Sequence, residues 1–342
     1  MQLTLALDAV GGDHAPIQPV RGALDAAREH GLRVLLVGPT ATIEAELARQ
    51  GVSGSVAAAV EVVPADDVIG MDEHPATAVR NKRNSPPVVA ARLVKEGRAA
   101  GFISAGNTGA TMAAALFVLG RVPGIERPAL ATLFPTRHGR CLLLDVGANA
   151  DCRPLHLARF AVRGSIYSER VLGVACPRVG LLNIGEEETK GSQVAQEAHR
   201  LLRSLDVNFV GNVEGKDVPA GMADVVVADG FVGNVALKMA EGMVMLAFQL
   251  IRQEMKGSFR ARLGGLLMRP AFRGAMRHLD YEEYGGAPLL GVDGVSIVAH
   301  GRSTARAIRS ALRVAKQAAD VDLVRLIREG VQMAQSASGG ES

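Results

Sequence analysis

The chain has 342 residues and a formal net charge of only +3, which excludes bulk nucleic-acid binding driven by overall charge and leaves any anion site to local residues. It is 48% hydrophobic but 4% aromatic, with no Trp. That composition lacks the stacking platforms of single-strand binders and fits an Ala-, Val-, Leu- and Gly-packed α/β protein better than an all-β sandwich.

The start, MQLTLALDAVGGD, has no basic segment and reaches Asp8 at once, unlike a secretory signal. No stretch reads as the roughly 18–20 apolar residues that a membrane-crossing helix needs, so a cytoplasmic protein is expected. Cys141, Cys152 and Cys176 form no C-x-x-C pair and no zinc spacing, which points to a reducing compartment and to no metal site. In chain order, LTLALDAV, RVLLVG, VEVVPA, AGFISA, ALATLFPT, CLLLDVG, RVGLLNIG, VNFVGNV and DVVVADG read as strands. Between many of them lie Ala/Leu-rich helical patterns such as IQPVRGALDAAREHG and SQVAQEAHRLLRSLD. This alternation predicts a three-layer α/β/α fold with a large, mostly parallel sheet covered on both faces. No linker or internal repeat interrupts it, so residues 1–330 read as one α/β domain and residues 331–342, ending QSASGGES, as a disordered tail.

Ligands in open α/β sheets sit beyond the carboxyl ends of strands. Five such ends carry Gly, Asn, Asp, Lys or Thr: Asp8–Pro16, the AGNTGAT loop after AGFIS, Ala148–Pro154, Glu186–Gln193 and Phe231–Lys238. A shared site is expected there. In FISAGNTGATMAAAL, Ser104, Gly106, Asn107, Thr108 and Gly109 precede an Ala-rich helix. Unpaired N–H groups at a helix start hold a phosphate well, and glycine lets it approach; the alternative is that these residues only cap the helix. Neither a G-x-G-x-x-G fingerprint at GGDH nor a G-x-x-x-x-G-K-[ST] loop is present, which argues against ordinary NAD and ATP use. Lys190 follows Glu186, Glu187 and Glu188, and is either neutralised by them or a clamp for charge developing on oxygen. Asn234 and Lys238 share a helix face at i and i+4; Asn234 either caps the helix or orients a carbonyl or phosphate. His14 and Asp13 are candidates for orienting an anion, and His300, in AHGRSTARAI, opens a further anion-friendly helix start.

Residues 252–279, RQEMKGSFRARLGGLLMRPAFRGAMRHL, interleave Arg260, Arg262, Arg269 and Arg273 with Leu263, Leu266 and Leu267. Gly264, Gly265 and Pro270 are expected to break this insertion (about 240–280) into two short helices around an exposed apolar tip, LGGLLM. Such an amphipathic hairpin suits a membrane surface, an acidic carrier protein or a dimer interface.

Taken together, LALDAVGGDHAP, VRNKRNSP, FISAGNTGATMA, LLDVGANADCRP, NIGEEETKGSQ, VADGFVGNVALK, YEEYGGAPLLGVDG and AHGRSTARAI occur in one order over about residues 2–330. The chain resembles the bacterial phosphate acyltransferases of phospholipid synthesis. One departure is Arg302, where the family pattern has a small residue. The resemblance implies a fold similar to phosphate acetyltransferases and to isocitrate-dehydrogenase-like enzymes. It implies transfer of a long-chain acyl group from acyl carrier protein to inorganic phosphate, without cofactor. The acyl phosphate would then feed a membrane glycerol-3-phosphate acyltransferase. A homodimer peripherally bound at the inner face of the cell membrane is implied, and no nucleic-acid partner. On this reading Lys190, Asn234 and His14 serve catalysis. Ser104, Gly106, Asn107, Thr108, Gly109 and Asp13 hold phosphate, and Arg260, Arg262, Leu263, Leu266, Leu267, Arg269 and Arg273 meet the membrane or the carrier.

Overall fold

The computed structural model describes residues 2–255, 257, 259–279 and 284–338, and of residues 259–261, 273, 275–279 and 334–338 the backbone alone. Every apolar run read as a strand folds as one: β1 (Thr4–Asp8), β2 (Arg33–Gly38), β3 (Val60–Pro64), β4 (Gly101–Ser104), β5 (Ala129–Thr136), β6 (Gly139–Leu144), β7 (Val179–Leu182), β8 (Phe209–Val213) and β9 (Val225–Val227). Two further short strands, β10 (Ala287–Leu290) and β11 (Val295–Val298), come from the APLLGVDG region. All join one 11-stranded sheet, ordered β3-β2-β1-β4-β11-β10-β5-β6-β9-β7-β8. β3, β2, β1, β4 and β11 are mutually parallel, as are β6, β9, β7 and β8. Antiparallel pairing of β11 with β10, β10 with β5 and β5 with β6 reverses direction between the two blocks.

The helices are α1 (Ile17–His30), α2 (Thr40–Arg49), α3 (Gly54–Ala58), α4 (Pro75–Asn81), α5 (Pro86–Lys95), α6 (Thr108–Ala114, continued by a π turn at Ala115–Leu119) and α7 (Pro154–Arg170). They continue with α8 (Gln193–Ser204), α9 (Asp217–Ala220), α10 (Gly230–Glu254), α11 (Phe259–Leu279), α12 (Ala305–Asp320) and α13 (Leu323–Ser338). The two-residue period of the strands sorts the core into two layers. Leu5, Leu7, Leu142, Leu144, Val225 and Val227 face one layer with Phe160 of α7, Leu202 of α8 and Ile308 of α12. Ala6, Cys141, Leu143 and Val226 face the other, with Val89 of α5, Ala114 of α6 and Val218 of α9.

Three expectations are corrected. The segment 259–279 is a single helix through Gly264, Gly265 and Pro270, and α10 ends at Glu254, so the break between the two helices falls before LGGLLM and not within it. A solvent-facing helix tolerates Pro because water takes over the carbonyl that loses its N–H partner. The C-terminal segment is helical to Ser338 rather than leaving the fold at 331, because Leu323, Ile327 and Val331 bury one face of α13 in the core. Finally, α10 has 25 residues and a window of mean hydropathy 1.4, long and apolar enough by composition to cross a membrane, although Lys238 and Glu241 interrupt it.

Candidate active site

The ends of β1, β4 and β11 form one cluster, held so closely that side chains are excluded. A Cβ on Gly11 would lie 2.5 Å from Asp8 Oδ2 and 2.8 Å from the Gly106 nitrogen; one on Gly12 would lie 2.9 Å from the Gly301 carbonyl oxygen. Gly12 also has φ +99°, a region that suits glycine. Asp13 N–H donates to the Gly301 carbonyl at 2.7 Å, joining the loop after β1 to that after β11.

Beneath this cluster the Ser104 hydroxyl is fully buried; it donates to Asp8 Oδ2 at 2.7 Å and accepts from the Gly106 N–H at 3.1 Å. Burial pushes the Asp8 carboxyl up to about 6, against the opposing hydrogen bonds from Ser104 and the backbone of Val10 and Gly11. Ser104 is therefore a strut under the loop, and its expected contact with phosphate is corrected. Asn107 is the N-cap of α6: its Oδ1 accepts from the Ala110 N–H at 3.0 Å, and its Nδ2 donates to the carbonyls of Gly70 and Met71. Gly109 lies against Pro75 of α4, where a Cβ would be 2.5 Å from Cγ. The cradle is thus braced by the loop before α4. Exposed Thr108 opens the helix, and the backbone N–H groups at this helix start are what an anion would meet.

The second cluster gathers the ends of β6 and β9. Asp145 is fully buried and accepts hydrogen bonds from the N–H groups of Leu130, Gly147, Ala148 and Asn149, and from the Asn149 side-chain amide. Burial raises its pKa while these donors hold the charged form. Asp145 organises a turn and is not exposed to a ligand. On that turn sits the start of α10. Gly230 N–H donates to the Asn149 carbonyl at 2.7 Å. A Cβ on Gly233 would lie 2.0 Å from the Asp145 carbonyl oxygen. Asp229 caps α10, accepting from the Val232 N–H at 2.8 Å. The capping alternative for Asn234 is thereby removed. Asn234 is exposed above Gly147, with its side-chain amide 3.7 Å from where a Gly147 Cβ would stand.

Lys190 lies after β7. It makes no ion pair with Glu186, Glu187 or Glu188 among the described residues; Glu188 pairs instead with Arg203. Of the three glutamates, Glu188 is thereby taken up by a partner other than Lys190. The backbone around it is tied at every step: Lys190 N–H donates to the Glu187 carbonyl at 3.0 Å, Asn183 Nδ2 donates to the Lys190 carbonyl, and Gln196 Nε2 donates to the carbonyls of Thr189 and Gly191. An exposed amine thus projects from a fixed loop.

The two parallel blocks run opposite ways, so in a flat sheet their carboxyl ends would part. Twist of roughly 20–25° per strand accumulates over the intervening strands and turns the two blocks relative to one another. His300, at the end of β11, is buried enough to lose basicity, and the charge of Lys238 on α10 lowers its pKa further while Glu241 and Asp13 oppose. The Arg302 N–H donates to His300 Nδ1 at 3.2 Å. Lys238 of α10 and Asp13 thus both lie within electrostatic range of His300. His14 is exposed in the same loop as Asp13 and lies one turn before α1, its carbonyl accepting from the Gln18 N–H. No direct contact between Lys190 and either cluster is seen among the described residues. No group of three or more His, Cys, Asp or Glu residues is arranged for a metal ion among the described residues.

Of the hairpin residues, Leu263, Leu266 and Leu267 are 52%, 63% and 75% exposed, and Arg262 and Arg269 are exposed. The side chains of Arg260 and Arg273 lie outside the described residues. Sequence reasoning missed Asp229, Gln196 and Asn212. The Asp-Gly pair ahead of an apolar helix was a readable cap signal for Asp229; the other two had none.

Residues 3–326 match the family described as "Fatty acid synthesis protein". The chain is 54% identical over 329 residues to a phosphate acyltransferase of Heliobacterium modesticaldum, covering 96% of this chain and 98% of that protein. It is 51% identical over 330 residues to one of Desulforamulus reducens, at 96% and 98% coverage. In structure it resembles the EutD phosphotransacetylase of Staphylococcus aureus (TM-score 0.61, 16% identity, 93% and 94% coverage). A phosphotransacetylase of Streptococcus pyogenes is similar to the same degree (TM-score 0.62, 18% identity, 95% and 94% coverage), so the expected fold is present. With this sequence similarity over nearly its whole length, the chain belongs to the phosphate acyltransferase family of acyltransferases.

Proposed function

We propose that the protein transfers a long-chain acyl group from acyl carrier protein to inorganic phosphate. A phosphate oxygen forms a bond to the thioester carbonyl carbon, the carbonyl oxygen becomes a tetrahedral oxyanion, and the C–S bond breaks to release the carrier thiol. Phosphate is itself a competent nucleophile, so catalysis is chiefly positioning and charge stabilisation. The helix start at Thr108 and Gly109, with Asp13 and His14 beside it, orients phosphate. Asn234 and Lys190 face the thioester and stabilise the oxyanion. No metal or redox cofactor takes part in this scheme.

One observation supports the long-chain donor above a short soluble one. The helix that presents Asn234 and Lys238 continues without a break into an exposed apolar face, with Met239, Met243, Leu246 and Leu250 between 47% and 68% exposed. An acyl chain leaving the thioester meets that face. The same face and the leucines of α11 suit a membrane surface, with the arginines toward anionic groups, and a second copy of the chain would cover part of it. On this reading the protein sits peripherally on the membrane and hands acyl phosphate to a glycerol-3-phosphate acyltransferase there.

The test mixes purified protein with palmitoyl-loaded carrier protein, with and without phosphate, and traps acyl phosphate with hydroxylamine. Phosphate-dependent carrier release with a trapped hydroxamate is expected. Release indifferent to phosphate, or turnover of acetyl-CoA alone, would overturn the reading.

A further inference from the structure

His199, buried in α8, is absorbed by no step above. Its Nδ1 is 3.0 Å from Asn212 Oδ1, and its ring meets Phe209 edge-on with centroids 5.0 Å apart. Asn212 is itself buried on β8, and its Nδ2 donates to the Glu187 carbonyl at 2.9 Å. That carbonyl also accepts the Lys190 N–H at 3.0 Å. The direction of the chain is fixed by donor count: with Nδ2 committed to Glu187, Oδ1 must accept, so His199 carries its proton on Nδ1. The other ring nitrogen, Nε2, lies 3.6 Å from the Glu188 carboxylate, which Arg203 also holds. The Glu187 carbonyl, three residues before Lys190, is thus referred through Asn212 to one buried imidazole.

We propose that His199 is a positioning residue for Lys190, acting through the Asn212 amide and the Glu187 carbonyl. The proposal rests on the reading of Lys190 given above. A buried imidazole locked between a ring and an amide is a rigid anchor. The Lys190 side chain is flexible and exposed, so its reach is set by the loop backbone that this anchor holds. Without the Nδ1–H, the Asn212 amide is free to turn and Glu187 loses a donor.

The test compares His199→Leu, His199→Asn and Asn212→Asp in otherwise intact protein, and His199→Leu again on top of Lys190→Ala. Acyl-phosphate formation, thermal midpoint and amide hydrogen exchange across residues 186–191 are measured. His199→Leu is expected to lower kcat about tenfold or more with a smaller change in KM, since misplacement of a group by about 1 Å costs up to ~10²-fold. His199→Asn keeps an N–H where Nδ1–H stood and is expected to recover most of the rate. Asn212→Asp, nearly isosteric, removes the donor to Glu187 and is expected to match His199→Leu. Exchange should accelerate at residues 186–191 in the two impaired variants only. In the Lys190→Ala background His199→Leu should cost nothing further.

Equal losses in His199→Leu and His199→Asn that track thermal midpoint, or the same fold-loss with and without Lys190, would show that His199 only packs. Near-normal turnover by Lys190→Ala alone would overturn the role of Lys190, and the positioning claim with it. Hydrogen exchange would then still report whether His199 orders the loop.

Discussion

Gly233→Ala tests how the active-site helix is seated. A methyl at this position would stand 2.0 Å from the Asp145 carbonyl oxygen, whereas carbon–oxygen contacts settle at about 3.3 Å. The start of α10 must retreat by roughly 1.3 Å, or the Asp145 turn must yield, and that turn is locked by its own N–H donors. Overpacking of this kind costs about 1–3 kcal/mol, partly offset by about 1 kcal/mol of helix propensity gained from Gly to Ala. The net loss of stability is small, yet Asn234, one residue on, moves with the helix. A displacement of about 1 Å near reacting atoms lowers turnover up to ~10²-fold. Gly242→Ala is the control, because nothing lies within 4 Å of the Cβ it would add in the same helix. Steady-state acyl-phosphate formation and thermal melts on both variants decide the matter. Gly233→Ala should fold and lose most of its kcat, and Gly242→Ala should retain it. Equal activity in the two variants would refute the seating of α10 on the Asp145 turn.

Asp8 gives a pH prediction. Its folded pKa, raised to about 6 from 3.8, means that the native state keeps this proton longer than the unfolded chain. Its contribution is complete below about pH 4 and fades as pH rises through 6, by up to ~3 kcal/mol. Denaturant melts from pH 4 to 7 should show that slope in the parent and a flatter one in Asp8→Asn; identical slopes would contradict it. Ser104→Ala strips a buried carboxylate and the Gly106 N–H of a partner and should destabilise by about 1–3 kcal/mol. Thr108→Ala, at an exposed helix start, should stay within about 0.5 kcal/mol of the parent while raising KM for phosphate; thermal melts and phosphate titration separate the two, and the reverse ranking would undo the assignment of strut and ligand. Leu266→Glu combined with Leu267→Glu should abolish co-sedimentation with anionic phospholipid vesicles, and unchanged co-sedimentation would remove the membrane role of the hairpin.

The strands from β1 to β9 were legible because each is a short apolar run closed by Gly, Pro or a charged residue. β10 and β11 are no shorter than β4, β7 and β9, but Pro288 within β10 and the glycines on both sides of it break up the apolar pattern. Small polar residues at strand ends located the loops correctly, but residue type does not reveal which way a side chain turns. Ser104 and Thr108 look alike in sequence, yet one lies under the loop and the other over it. Asn234 read as a possible cap until Asp229 occupied that position. Lys190 beside three glutamates looked neutralised. Only the tertiary partner Arg203, contributed by α8, shows that Glu188 is engaged away from Lys190. Gly264, Gly265 and Pro270 read as breaks, yet α11 runs through all three, because on an exposed helix water meets the carbonyl that Pro leaves without a donor. That the charge of Lys238 on α10 is felt by His300 depends on sheet order and accumulated twist, which no local pattern encodes.

The measurement closest to the central claim follows radiolabelled inorganic phosphate during a single incubation with palmitoyl-loaded carrier protein. Direct attack by phosphate on the thioester predicts that label enters the lipid-soluble product in equimolar amount with carrier released, and that Lys190→Ala and Asn234→Ala reduce both together. Carrier release without labelled product would contradict it.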